Sequence, residues 1–174
     1  MIRSNYYEVA FEAYLRQRRV GYVAVDESRR TQLGDVGVKS FDFIVVGPKS
    51  ARLAVDVKGR KFPGGSTERP VCSWQNWVAA EDVDGLGRWA SHLGEGFRGV
   101  LAFVYHIRRG YGLPPETPDL FVHQGRLFLI RAVEVSEYRN LMRPRSKRWE
   151  TVHLPSAGFQ RVVKPFAAFL DQGH

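Results

Sequence analysis

Phe41-Asp42-Phe43-Ile44-Val45-Val46, the turn Gly47-Pro48-Lys49-Ser50, and then Ala51-Arg52-Leu53-Ala54-Val55-Asp56-Val57-Lys58-Gly59 decide the fold. Two β-rich apolar runs joined by a four-residue turn signal read as neighbouring strands. Side chains alternate between the two faces of a strand, so Leu53, Val55 and Val57 point one way and Asp56 and Lys58 the other. Each run carries a carboxylate where an unpaired charge would be costly, so each needs a partner, a bound cation or a route to solvent. Pairing Val46 with Ala51 or Arg52 sets Asp42 opposite Asp56, and the two acids then converge at one end of the sheet.

Upstream, Tyr7, Ala10, Phe11, Tyr14 and Leu15 recur at three- and four-residue spacing, which predicts a helix over 6–19 capped by Ser4 or Asn5. Arg16, Arg18 and Arg19 suit the negative end of its dipole. A further strand is expected over 21–26, with the main two over 39–46 and 51–59, in the order of a meander. Residues 62–76, with Pro63, Gly64, Gly65 and Pro70, read as a long functional loop. A second helix over 83–93 is signalled by Val83, Leu86, Trp89, Ala90 and Leu93, although Gly85 and Gly87 weaken it. Strands follow over 99–106 and 126–133 with a Pro-rich loop between them. A short helix over 133–142, a strand over 149–154 and a helical C-terminal piece interrupted at Pro165 complete the chain.

The 174 residues are 44% hydrophobic, 13% aromatic and 25% charged, the balance of an ordinary globular α/β protein, and one domain over 1–174 is expected. With 26 Lys and Arg against 18 Asp and Glu, the formal charge of +8 favours polyanionic partners, nucleic acid first. Cys72 is the one cysteine, which excludes an intrachain disulfide and a thiolate-rich zinc site; it reads as a small core residue in a reducing cytoplasm. The histidines at 92, 106, 123, 153 and 174 lack metal-ligand spacing. No apolar run reaches the ~20 residues of a membrane span, so neither membrane anchoring nor export is expected.

Phosphodiester hydrolysis requires oxygen ligands for a hard divalent cation and a fixed positive charge near the developing oxyanion. Asp42 and Asp56 would hold Mg²⁺, or Mn²⁺ in its place, with the Val57 carbonyl completing the coordination. Lys58 would orient or deprotonate the attacking water and stabilise the transition state. A plain surface ion pair between Asp56 and Lys58 is the alternative.

Asp42 followed by Asp56-Val57-Lys58 resembles the PD-(D/E)XK nuclease superfamily, in which an Asp on one strand precedes Asp or Glu, any residue, and Lys on the next. The resemblance implies a restriction-endonuclease-like αβββαβ core, a mixed central sheet flanked by helices, with the C-terminal strand and helices as additions. It also implies a metal-site glutamate on the first helix, Glu8 or Glu12, with Glu8 favoured. Phe41 stands where the motif's usual proline would be. Tyr6-Tyr7-Glu8-Val9-Ala10-Phe11-Glu12 in turn resembles the signature of the uncharacterised HYExAFE-motif family, with Tyr6 in place of the leading His.

Arg60 and Lys61, which extend the D-x-K strand, could hold the scissile strand by its phosphates. Trp74 and Trp77 could stack on bases, with Gln75 adding polar contacts, although core anchoring is the commoner use of such tryptophans. Arg143-Pro144-Arg145-Ser146-Lys147-Arg148 is the densest basic run and reads as a loop, with Arg145, Lys147 and Arg148 the expected backbone contacts. The expected activity is a metal-dependent nuclease, DNA being a more natural substrate than RNA. A catalytically inactive module that binds nucleic acid or a protein partner is the alternative. A homodimer is compatible with the sequence, but no pattern marks an interface.

Overall fold

The Asn5 side chain accepts a hydrogen bond from the Tyr7 N–H at 3.1 Å and so starts the first helix, α1 (Tyr6–Gln17). This computed structural model describes residues 5–26, 31–33, 36–64, 68, 73–108 and 113–172. Cys72 lies outside the described residues, as do Gly65 and Pro70 of the loop expected over 62–76. Ala10, Phe11, Tyr14 and Leu15, the apolar stripe of α1, are all buried.

The strands are β1 (Gly21–Ala24), β2 (Thr31–Leu33), β3 (Val36–Val38), β4 (Phe43–Val46), β5 (Arg52–Lys61), β6 (Val78–Ala79), β7 (Phe97–Ile107), β8 (Leu120–His123), β9 (Arg126–Glu134), β10 (Arg143–Ser146) and β11 (Thr151–His153). The remaining helices are α2 (Ala80–Leu93), α3 (Val135–Leu141), α4 (Ser156–Val162) and α5 (Phe166–Asp171). The central sheet has the order β1-β4-β5-β7-β9-β8. Its first three strands form the expected antiparallel meander, into which the β2–β3 hairpin is inserted. The chain then crosses over through α2 so that β7 lies parallel to β5, while β9 and β8 return antiparallel. The sheet is therefore mixed, with helices on both faces.

Alternation along the two central strands assigns those faces. Leu53, Val55 and Val57 of β5 and Val100, Ala102 and Val104 of β7 pack with α1 and α5. Ala54, Leu101, Phe103 and Tyr105 pack with α2, α3 and α4. The centre of β7, Val100–Tyr105, is thus apolar without interruption because both its faces are covered. A buried carboxylate, Asp119, pegs the first face together. It accepts from the Tyr14 hydroxyl at 2.6 Å and the Ala167 N–H at 2.9 Å, and pairs with Arg18 at 3.1 Å.

Three expectations need correction. The Pro-rich segment after β7 is not all loop, because it ends in β8, where Leu120–His123 pairs along β9. The basic run is not a loop either: Arg143–Ser146 is strand β10, paired with β11, and only Lys147 and Arg148 of the run stand at the turn. The pairing tolerates Pro144 because the register shifts between Pro144 and Ser146. The third concerns Asp42, which stands in a bend just ahead of β4 rather than inside the strand. Its N–H still bonds the Val55 carbonyl at 3.0 Å.

Candidate active site

The β4–β5 register pairs Val46 with Arg52 and Phe43 with Val55, so one step further along the ladder Asp42 lies beside Asp56. Both are buried, Asp42 at 2% and Asp56 at 5% exposure. One Asp42 carboxylate oxygen accepts the Val57 N–H at 2.6 Å, which fixes the side chain across the two strands. Asp42, Asp56, Val57 and Lys58 line a single cleft of about 270 Å³. Glu8, in the first turn of α1, lines it too, together with Lys39 and Arg60. Glu12, one helical turn further along, is placed differently: it accepts from Arg16 at 2.9 Å and from the Tyr22 hydroxyl at 2.8 Å and does not line the cleft.

The amine of Lys58 lies 3.0 Å from Asp56 and 3.0 Å from Asp82. Asp82 is a 5%-exposed carboxylate in the first turn of α2 that also accepts the Ala79 N–H at 3.1 Å. Lys39 pairs closely with Asp82 and reaches Glu81 at 3.5 Å. The result is an alternating row of charges, Asp56, Lys58, Asp82 and Lys39, in which each cation has an acid to hand. Sequence reading passed over Asp82 and Lys39. The available signal was an acid at the third position of an amphipathic helix, where the helix dipole alone would explain it.

Burial raises the pKa of Asp56; Lys58 pulls it back, and the Asp82 charge adds to the rise. Burial also disfavours the Lys58 ammonium, but Asp56 and Asp82 outweigh it and hold its pKa above that of an ordinary lysine. Asp82 feels the same desolvation, yet Lys58 and Lys39 keep it below the usual carboxylate range. Lys58 is therefore a stable cation here, suited to countering negative charge rather than to taking up a proton.

The fit to a divalent cation rests on the donor chemistry. Asp42 and Asp56, with Glu8 on the same cleft, are the all-oxygen set that a hard cation takes. Among the described residues no group of three or more His, Cys, Asp or Glu side chains is drawn close enough to hold a metal. Lys58 supplies the counter-charge to Asp56 in this arrangement.

The other sequence-predicted residues divide into two groups. Arg60 is tied down, donating from Nε to the Trp77 carbonyl at 2.9 Å and from a terminal nitrogen to the Gly59 carbonyl at 2.6 Å, with its guanidinium 3.8 Å from the Trp77 ring centroid. Arg145 lies against the same ring at 4.9 Å. Gln75 is exposed and accepts the Lys61 N–H at 3.2 Å, while Trp74 packs edge-on to Tyr105 and Phe62. Lys147 and Arg148 stand exposed at the tip of the β10–β11 hairpin, next to the exposed Trp149. Buried Asn76 fastens this region: its side chain donates to the Leu154 carbonyl at 3.1 Å and accepts the Leu154 N–H at 2.7 Å. The Tyr138 hydroxyl donates to the Asn76 carbonyl at 2.9 Å.

Two glycines admit close approaches around the site. A side chain at Gly59 would overlap the Tyr7 ring, which rests on the strand just past Lys58. A Cβ at Gly85 would meet the Lys39 carbonyl at 2.8 Å, and Trp89 donates to that carbonyl at 3.0 Å. The helix-weakening glycine thus lets α2 press against the segment that carries Lys39 and leads to Asp42.

No family model matches the sequence, and no curated protein matches it. The chain is similar in structure to Hjc of Archaeoglobus fulgidus, a Holliday junction resolvase from an archaeal hyperthermophile. The two share 14% sequence identity with a TM-score of 0.53, over 97% of this chain and 95% of that one. At this identity the likeness defines the fold: a restriction-endonuclease-like α/β architecture with a mixed central sheet flanked by helices. The likeness to the HYExAFE signature rests on residues 6–12 alone. Among the described residues, no helix is long and apolar enough to cross a membrane.

Proposed function

We propose that the protein is a metal-dependent nuclease of the PD-(D/E)XK superfamily that hydrolyses phosphodiester bonds, with DNA as its substrate. The observation that carries this reading is that Glu8, Asp42, Asp56, Val57 and Lys58, from a helix and two paired strands, line one cleft. The fold it shares with a Holliday junction resolvase favours DNA over RNA, and the formal charge of +8 suits either polyanion.

Asp42 and Asp56, with the Val57 carbonyl and Glu8, would hold Mg²⁺ or Mn²⁺. When bound, such a cation polarises the phosphate and lowers the pKa of water. Lys58 stays protonated, aligns the attacking water by donating a hydrogen bond, and offsets the charge that builds on the phosphate oxygens. Asp82 acts one step back, holding the Lys58 amine in the cleft. Arg145, Lys147 and Arg148 supply backbone contacts away from the reacting bond.

Purified protein incubated with DNA and with RNA in Mg²⁺ or Mn²⁺ tests the proposal. Cleavage of DNA that is lost on adding EDTA, and reduced at least about 100-fold in Lys58→Ala and in Asp56→Asn, is the expected result. Activity that persists in either variant, or in EDTA, assigns the chemistry elsewhere.

One observation favours a second reading, an inactive nucleic-acid-binding module. Lys58 already neutralises the buried acids, and no third carboxylate closes on them among the described residues. That reading predicts salt-sensitive DNA binding without cleavage in any divalent metal.

A further inference from the structure

Strand β5 leads out of the acidic cleft into a second cavity of about 210 Å³, lined by Tyr7, Arg60, Lys61, Phe62, His106 and Arg108. Tyr7 and Arg60 border both spaces. None of the six is acidic, although the exposed Glu68 follows in the segment after β5. Among the described residues, Arg60, Lys61 and Arg108 have no ion pair. This contrasts with Lys58, which has two.

The walls are held in place. Arg60 makes three hydrogen bonds to backbone carbonyls, leaving two of its five N–H groups for a ligand. Tyr7 rests on Gly59 and meets Tyr6 edge-on at 5.1 Å; Tyr6 in turn meets His106 at 5.9 Å. Phe62 is propped edge-on by Trp74. The half-buried Arg60, with the exposed Lys61 and Arg108 beside it and no acid in the lining, suits an anion, and the rings alongside suit the flat face of a base.

We propose that this cavity is a nucleotide subsite: Arg60, Lys61 and Arg108 take one phosphate, and Phe62 and the His106 ring take the attached base. Its placement next to the scissile bond rests on the nuclease reading, while binding itself does not. A strand leaving the acidic cleft past Tyr7 would enter it directly.

The test is fluorescence anisotropy on the full chain in EDTA, with a single-stranded deoxyoligonucleotide of about 12 nucleotides, within the usual range of single-strand sites. Lys61→Ala and Arg108→Ala should each weaken binding about tenfold and lower the slope of log affinity against log salt by about one. Phe62→Leu, which keeps apolar bulk and removes the ring, should weaken binding several-fold on the normal strand and leave an abasic strand unaffected. Wild-type affinity in all three variants overturns the subsite, and an equal loss on the abasic strand overturns the base contact. A drop in wild-type affinity on removing the 5′-phosphate assigns the phosphate as a strand end; equal affinity, extending to a circular strand, assigns it as internal. If no metal supports cleavage yet the variants lose binding, the nuclease reading falls and the subsite stands. If the wild type cleaves and the variants bind unchanged, only the subsite falls.

Discussion

Two stretches of one strand meet opposite electrostatic conditions. Around Asp56 and Lys58 every charge is answered from within the protein: Lys58 by Asp56 and Asp82, and Asp82 by Lys58 and Lys39. Two residues further on, Arg60 and Lys61 face a cavity whose described walls hold no acid. A closed set of charges contributes to folding and is costly to break, whereas an open one contributes little to folding and much to binding a partner of opposite sign. The strand therefore carries its chemistry and its grip side by side, with different consequences for mutation.

The largest effect should come from breaking the closed set. Asp82→Ala leaves the largely buried Lys58 amine with Asp56 alone and the more exposed Lys39 with Glu81, and the cost of losing one member of a buried pair, about 3–5 kcal/mol, is the upper bound. Urea unfolding at neutral pH measures it, and a loss under about 1 kcal/mol would show that the row of charges is not a unit. The pH dependence has a definite sign. Because the folded-state pKa of Asp82 lies below its unfolded value, its stabilisation is present above the ordinary aspartate value of 3.8 and is lost as pH falls through the folded one. The stability gap between wild type and Asp82→Asn should accordingly shrink on acidification below that value.

Gly85→Ala ranks next. A helix interior gains up to ~1 kcal/mol from such a change, but the new methyl would sit 2.8 Å from the Lys39 carbonyl. Overpacking of this kind costs about 1–3 kcal/mol. A lower melting temperature is expected, and a rise would mean that the segment before Asp42 yields easily. The smallest stability effect separates the two glutamates of α1. Glu12→Gln removes the charge but keeps an oxygen to accept from the exposed Arg16 and from Tyr22, so it should change stability little and leave metal-dependent cleavage in place. Glu8→Gln should lower cleavage, most visibly at limiting metal.

The two regions also differ in how far the sequence reveals them. The Asp42–Asp56 convergence was legible because period-two alternation and a four-residue turn leave few registers that bury Phe43, Val45, Leu53 and Val55 on one face. Asp82 was hidden because its partners are 24 and 43 residues away, and a first-turn acid has an ordinary local explanation. The cation-lined cavity was invisible for a related reason: Tyr7, Arg60 and Arg108 meet only when α1, β5 and the end of β7 are packed together. Strands β8 and β10 were missed because prolines and charges, read locally, are loop signals, whereas the edge of a sheet and a register shift accommodate both.

Asn76 has a mechanical consequence. Its amide spans from the segment before β6 to the chain leaving β11, and both Arg60 and Arg145 lie against the neighbouring Trp77 ring. The basic hairpin is therefore fastened to the segment that carries Asn76 and Trp77. Were a polyanion to bind Lys147 and Arg148, load on the hairpin would pass through Arg145 and Trp77 to the Arg60 guanidinium at the mouth of the cleft.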